Sequence, residues 1–553
     1  MGTQLSALKV ARTEAIERGG FAHIETAEAS VLRQEEKRGN EKNREPSAFQ
    51  VCSRLVRGSI HKDYDVSCRV VGQGASGLLY AARSRLTGRE CCVKFFQKAG
   101  ACRPSRTAIL KIRNEVNVRV RVDHPNIARL IEIYEDEKQL ALVLEYCPGG
   151  DLFSHLCDRG RFPEQTARVI VQQMLAVLCY LHAHDVVHRD LRLEKWVLAT
   201  QHDGSGFRFL AGPVKLVDLG NATVWSNKSK KMDVTCGALA YASPDMLVGR
   251  YTQACDLWSL GVIAYRLLSG HSPFHGRQQA LVSQILSGAY TTNTLGWKGV
   301  SKEARDFVER LMDVDPVRRM TVNEALNHVW IASLESKNDV PLSLDFLTAV
   351  EKFARCSKLR RANLTMMAYS VTSEAAGGLD KLFFAFCKSP KATLGLDEFI
   401  SAMKTQFPFL DIGQVVRLFQ AMDSSCENEI SYNDFLAVML KPQLEKEEFL
   451  LLHTLRKWDA DHSGFISLDD LRVLLGDRYS NDALEDMMHD CDINGDGHIE
   501  LESGKQRPSA FKPVVHLVVY TSQKKLTHNP VYVMTTPNTM VLLIRASPHS
   551  MGM

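Results

Sequence analysis

The chain has no uninterrupted apolar run that approaches bilayer-spanning length, so neither a membrane span nor a secretory leader is expected. Neither charge sign dominates. Lys and Arg total 68 and Asp and Glu 64, a net +4 over 553 residues, which leaves no electrostatic footprint for nucleic acid or a polyanionic partner. Disulfide spacing is missing as well. The 14 cysteines are scattered, and the neighbours Cys91 and Cys92 fall inside an apparent strand, which suits neither a disulfide ladder nor a zinc site. Reduced thiols in a cytoplasmic, monomeric protein are the expectation. What is present, 45% hydrophobic and 24% charged residues, describes an ordinary globular chain, too long for one core.

Residues 1–62 mix both charges with few large apolar side chains and read as a flexible extension with one short helix, Leu5 to Arg18. Met1-Gly2-Thr3-Gln4-Leu5-Ser6 fits the N-myristoylation pattern. One acyl chain on Gly2 gives only weak membrane association, and an unmodified tail is the equal alternative. Strand patterns follow at Val66 to Val71, Leu78 to Ser84 and Glu90 to Phe96. From Phe162 the apolar period becomes helical, with Ala167, Ile170, Val171, Met174, Leu175 and Leu178 on one face. A small β lobe followed by a larger α lobe is expected over residues 63–332.

Gly72, Gly74 and Gly77 lie between two strands, where missing side chains let backbone N–H groups close over a triphosphate. A dinucleotide fold requires a helix directly after the glycines, but Leu78-Leu79-Tyr80 continues as a strand. Lys94 on the third strand and Glu115 on a predicted helix have the types and order of an ATP-aligning ion pair. His188-Arg189-Asp190-Leu191 and Asp218-Leu219-Gly220 follow. In this order and spacing the motifs resemble the protein kinase family. That resemblance implies a bilobal α+β fold and assigns roles. Asp190 receives the substrate hydroxyl proton, Asp218 holds Mg²⁺ on the phosphates of ATP, and Arg192 steadies the transferred group. Glu145 and Cys147 belong to the adenine-contacting hinge, next to Leu144 as gatekeeper, and Asp256 braces the catalytic loop. Asp151 and Glu194 match positions that favour basic side chains ahead of a Ser/Thr acceptor, with solvent-facing acids as the alternative.

The pattern breaks at four places. Arg192 replaces a lysine and keeps its charge. Lys195 replaces an asparagine that supplies a neutral oxygen to a second Mg²⁺. An ammonium has no lone pair, so it either stands in for the lost metal charge or leaves nucleotide bound and unreacted. Ala238 lacks a hydroxyl that bonds the catalytic aspartate in the family. Asp245 is one methylene shorter than a glutamate whose arginine partner here is Arg319. A working kinase and a nucleotide-binding pseudokinase scaffold both remain open.

Residues 333–372 form a junction. Phe346, Leu347, Val350, Phe353, Leu359 and Leu364 give an apolar helical face, and Lys352, Arg355, Lys358, Arg360 and Arg361 a basic one, which a calmodulin-like domain or a membrane surface grips. Residues 373–502 repeat helix–loop–helix four times, the EF-hand pattern of an all-α domain. Asp459, Asp461, Ser463, Phe465 and Asp470 fit a Ca²⁺ loop, with a short carboxylate at the last position. Asp492, Asn494, Asp496 and His498 begin a second, which ends on Ser503 instead of a carboxylate. Asp423, Ser425, Glu427 and Asp434 form a weaker loop, with Asn428 where glycine is usual. The first loop, Cys387 to Glu398, carries Lys391 at a ligand position and is structural.

Together these features resemble the calcium-dependent protein kinases of plants and protists, from about Tyr64 to Glu502. The resemblance implies ATP, Mg²⁺ and Ca²⁺ as cofactors, protein substrates, and a junction that holds the kinase off until Ca²⁺ binds. Residues 503–553 break the family pattern. Gly504-Lys505 is codable as GGT-AAG, a sequence like a splice donor, so intron read-through and a genuine tail are both open.

Overall fold

The computed structural model describes residues 54–74, 77–97, 106–200, 212–332, 343–387, 392–425, 428–444, 448–459, 463–475, 479–492 and 496–500. Gly2, the helix expected at Leu5 to Arg18 and the tail 503–553 lie outside them. The chain divides into two compact units. One takes in Arg57–Pro341 and Thr372–Glu398, the other Ser47–Val56, Leu342–Val371 and the residues from Phe399 onward.

A short strand β1 (Leu55–Arg57) lies at the boundary of the division. The sheet of the first unit consists of β2 (Tyr64–Gly74), β3 (Gly77–Ser84), β4 (Glu90–Gln97), β5 (Leu130–Glu135) and β6 (Gln139–Glu145), in the order β5-β6-β4-β3-β2. Order therefore begins before residue 63, inside the stretch expected to be flexible. β4 is interior, between β3 and β6, and buries the whole run Cys91, Cys92, Val93 and Lys94, which is why its sequence shows little alternation. Helix α1 (Arg106–Arg121) follows β4 and carries Glu115.

The rest of this unit is mainly helical. α2 (Leu152–Arg159) is capped by Asp151. α3 (Glu164–Ala183) buries all six residues of the expected apolar face. By length and composition α3 could cross a membrane, yet 67% of its apolar window is buried inside the protein, as in a core helix. It packs with α4 (Ala254–Ser269) around Trp258, Leu178 and Leu260. The Glu164 carboxylate at the start of α3 accepts from Ser301 Oγ, Ser301 N and Trp330 Nε1, which ties the lower helices to it. Helix α5 (Leu379–Phe386) and the loop after it also belong to this unit. Phe384 and Ala392 pack against its main core.

In the second unit the junction is two helices, α6 (Leu344–Ala354) and α7 (Lys358–Ala368), not one continuous helix. The break has a local cause: Ser357 caps α7 by accepting from Arg360 N. α6 packs on α8 (Ile412–Met422) and α9 (Tyr432–Met439), while α7 packs on α9 and α10 (Glu448–Leu455). Leu359, Ala362 and Met366 of α7 join a core with Trp458, Ile466, Leu474 and Met487. Two polar contacts fix the register of α7. Asn433 Nδ2 donates to Thr365 O at 2.8 Å, and Trp458 Nε1 donates to Asn363 Oδ1 at 3.2 Å. Lys352, Arg355 and Lys358 remain exposed, so the expected division into apolar and basic faces is present.

Candidate active site and calcium loops

The β2–β3 hairpin brings Gly74 opposite Gly77 at its tip, with Gly72 opposite Leu79. Ala75 and Ser76 lie outside the described residues. Gly77 has φ +140°, a conformation that a side chain would strain. One strand further in, Lys94 pairs with Leu79 of β3 and Leu142 of β6, which fixes its direction under the hairpin. Its Nζ donates to both Glu115 oxygens at 2.9 Å, with both side chains essentially buried. Glu115 also accepts from Arg119 Nε at 3.1 Å, and Arg119 Nη2 donates to Val217 O at 3.0 Å, beside the metal loop. Burial would raise the Glu115 carboxyl, but Arg119 and Lys94 hold it below the usual range. Arg119 belongs to none of the motifs noted above. Its spacing of four from Glu115 on one helix is the signal that marks it.

The catalytic loop hangs from Asp256. This buried carboxylate accepts from His188 N at 2.9 Å, Arg189 N at 2.8 Å and His182 Nε2 at 3.0 Å. Burial alone would raise its pKa, and these donors bring it below the ordinary value. Arg189 sits at φ +67° and donates to Asn221 O and Tyr251 Oη. The strained loop thus aims Asp190 into the cleft.

Three donors hold Asp190. Lys195 Nζ contacts Oδ2, Asn221 Nδ2 donates to the same oxygen at 3.0 Å, and Ala238 N donates to Oδ1 at 3.0 Å. Ala238, which has no hydroxyl, reaches the carboxylate through its backbone N–H. An ionised carboxylate has about four acceptor positions, so one on Oδ1 remains for a substrate hydroxyl. Gly237 makes this approach possible: at φ +87°, a Cβ there would lie 2.8 Å from both Arg189 O and Asp190 Oδ1.

Asp218 stands beside this group. Its Oδ1 accepts from Gly220 N at 3.0 Å and lies 3.9 Å from Lys94 Nζ. Its Oδ2 is buried, 3.0 Å from Lys195 Nζ, yet has no aligned hydrogen-bond donor among the described residues. Burial would raise this carboxyl, but Lys195, then Lys94 and Arg119, hold it far below the usual carboxylate range. The ionised carboxylate at the cleft, with a lone pair left on Oδ1 beside the bond from Gly220 N, fits one Mg²⁺. Lys195 offers no oxygen, so the residues do not fit a second ion at that position.

In the hinge, the Glu145 carboxylate accepts from Lys215 Nζ at 2.7 Å and Arg129 N at 3.2 Å, both on Oε2. Cys147 is half-buried, and desolvation pushes its thiol well up. Asp245 does reach Arg319, at 2.7 Å to Nη2, but with one oxygen only. Arg192 is half-buried, and Asp151 spends its carboxylate on Ser154 N and Oγ at the start of α2. Glu194 Oε2, in contrast, is buried without a hydrogen-bond partner among the described residues.

In the second unit the loop carboxylates turn inward. Asp459 Oδ1 accepts from Ser463 N and Oδ2 from Gly464 N, both at 2.9 Å, with Gly464 at φ +89°. Asp470 accepts from Ser467 N and Oγ at 2.8 and 2.7 Å. The weaker loop repeats the design. Asp423 accepts from Ser425 N and Oγ and from Asn428 N, Asn428 takes the left-handed turn at φ +61°, and Asp434 accepts from Ser431. Asp423, Asp434, Asp459 and Asp470 are all buried.

The last loop keeps Asp492, which accepts from Gly497 N, and Asp496, which accepts from His498 N. Strands Phe465–Ser467 and His498–Glu500 pair antiparallel with Ile466 opposite Ile499, which joins the last two loops. Glu427, Asp461, Asn494 and Ser503 lie outside the described residues, and no group of three or more His, Cys, Asp or Glu converges on one point among those described. In the first loop Cys387 Sγ donates to Thr393 O and Glu398 accepts from Gly395 N.

Comparison with known proteins agrees with this geometry. A protein kinase domain family model matches residues 66–331. Calcium-dependent protein kinase 4 of Plasmodium berghei is 30% identical over 453 residues, covering 78% of this chain and 84% of the relative. Calcium-dependent protein kinase 5 of Plasmodium falciparum is 28% identical over 79% of this chain and 76% of its own length. Calcium-dependent protein kinase 11 of Oryza sativa subsp. japonica is 28% identical over 82% and 77%. The chain belongs to the calcium-dependent protein kinase family and is a protein serine/threonine kinase.

Proposed function

We propose that the protein transfers the γ-phosphoryl of ATP to Ser or Thr hydroxyls of protein substrates in the cytoplasm, and that Ca²⁺ turns this activity on through the junction helices. The observation that carries the reading is the assembly of Lys94, Glu115, Asp190 and Asp218 in one buried cluster with an acceptor position left on Asp190. Bound ATP would supply the phosphoryl group, and Mg²⁺ would neutralise its developing charge. Lys94, locked by Glu115, orients the phosphates, and Gly72, Gly74 and Gly77 let backbone N–H groups approach them. Asp190 orients the acceptor hydroxyl and takes its proton, with Arg192 close in sequence to balance charge. Glu194 Oε2, buried without a donor, suits a basic side chain ahead of the acceptor. Asp151 is committed to its own helix cap and suits this less.

Regulation follows from where the junction is buried. α7 packs its apolar face into the core that also contains Ile466 and Ile499 of the paired calcium loops, so a change at those loops reaches α7 directly. Ca²⁺ must favour the arrangement that leaves the kinase active over the one that does not. The contact of Lys195 with Asp190 supports a second reading, a calcium-sensing pseudokinase, because the ammonium occupies an acceptor position on the carboxylate that would receive the substrate proton.

Transfer of labelled phosphate from ATP to a basic Ser/Thr peptide, with and without Ca²⁺, separates the two. Stimulated transfer that disappears in Asp190→Ala is the expected result. Retention of nucleotide with no transfer in the wild type would establish the pseudokinase.

A further inference from the structure

Lys195 comes from the single turn Leu193–Lys195 and is 3% exposed at its side chain, deep for a lysine. Its ammonium stands between the two catalytic carboxylates, against Asp190 Oδ2 and 3.0 Å from Asp218 Oδ2. On the far side of Asp218, Lys94 and Arg119 meet Glu115. The buried cluster thus holds three carboxylates (Asp190, Asp218, Glu115) and three cations (Lys94, Lys195, Arg119). It is neutral from its own side chains. With asparagine at position 195 the same cluster would carry one net negative charge, which favours a further cation there.

We propose that Lys195 is a tethered replacement for the second divalent cation, so that this kinase domain holds ATP with one divalent ion, on Asp218. Three observations converge. Lys195 presents no oxygen to a metal, its ammonium repels one, and it already makes the contacts to both aspartates that a cation at that place would make. Asp218 Oδ1, on the side of Lys94 and with a lone pair left beside its bond from Gly220 N, remains the oxygen for one ion. The inference rests on the kinase reading only as far as nucleotide binding, and does not need phosphoryl transfer.

The test counts ions. The full-length chain is held in excess over a non-hydrolysable ATP analogue, so that all nucleotide is bound, and Mn²⁺ is titrated by electron paramagnetic resonance. The count without nucleotide, which includes the calcium loops, is subtracted. One Mn²⁺ per nucleotide is expected in the wild type and two in Lys195→Asn, with Lys195→Gln as a second neutral amide in case Lys195→Asn fails to fold. Two ions per nucleotide in the wild type would overturn the proposal, as would one ion in both folded variants. A single ion in the wild type without phosphate transfer would sink the kinase reading and leave this one standing. Failure to retain nucleotide at any Mn²⁺ concentration would sink both.

Discussion

The catalytic cleft and the calcium loops each bury pairs of aspartates, but they hold them differently. In the cleft, Asp190 and Asp218 share the ammonium of Lys195, a cation tethered to the chain. In the loops, Asp459 and Asp423 accept from backbone N–H groups and a serine, while Asp470 and Asp434 accept from the serine three residues before them. A tethered cation is always present, so it makes a permanent site. Neutral donors orient carboxylates without cancelling their charge, so a loop built from them responds to an ion that comes and goes. The same residue type thus serves constancy in one unit and switching in the other.

The largest expected effect comes from removing a carboxylate of the cleft. Asp218→Ala should lower phosphate transfer by about 10²-fold or more, while the calcium loops still titrate in a binding assay. Loss of Ca²⁺ binding in that variant would break the separation of the two regions. The loops should respond to reach instead. Asp470→Glu lengthens the last ligand, and the Ca²⁺ needed for half-maximal response should fall by roughly tenfold, read by calorimetry. An unchanged midpoint would remove Asp470 from the ligand set.

A pH effect should mark the kinase unit. His124 is buried, accepts from Asn126 N through Nδ1, and is pushed down to about 3, by burial first and then by Lys215 and His184. The unfolded chain takes up a proton near pH 6.5 that the folded one refuses, so stability is full above that pH and falls below it. The loss should reach about 2 kcal/mol by pH 5. Thermal melts at pH 7.5 and 5 should diverge less in His124→Gln than in the wild type, and equal divergence would show that His124 is not the group responsible. The smallest effect belongs to Asn221. Removing its hydrogen bond to Asp190 in Asn221→Ala should slow transfer about fivefold, from about 1 kcal/mol, at unchanged nucleotide affinity. A wild-type rate would mean that Ala238 N–H suffices.

Much of the site was legible because kinase motifs are local. Lys94, Glu115, Asp190 and Asp218, each read from a short motif, meet in one buried cluster, and Asp256 accepts from the backbone of His188 and Arg189. What escaped depends on chain segments brought together only by folding. Asn221 reaches Asp190 across 31 residues, and the Ala238 amide does so across 48, contacts that no motif names. Glu145 reads as part of the hinge, and only folding shows its carboxylate held by Lys215, 70 residues further along the chain. The junction's periodicity reads as one helix, and the structure has two there. The stop at Ser357 was written in its capping side chain, but it was hidden inside an amphipathic run that continues on both sides.

The most direct measurement is the ratio of transfer rates with and without Ca²⁺ in the intact chain, set against the double variant Asp423→Ala, Asp459→Ala. The account predicts a ratio well above one in the wild type that collapses to one in the variant, while nucleotide binding by the kinase unit is unchanged. A ratio of one in both proteins, or a ratio that survives loss of both loop aspartates, would contradict it.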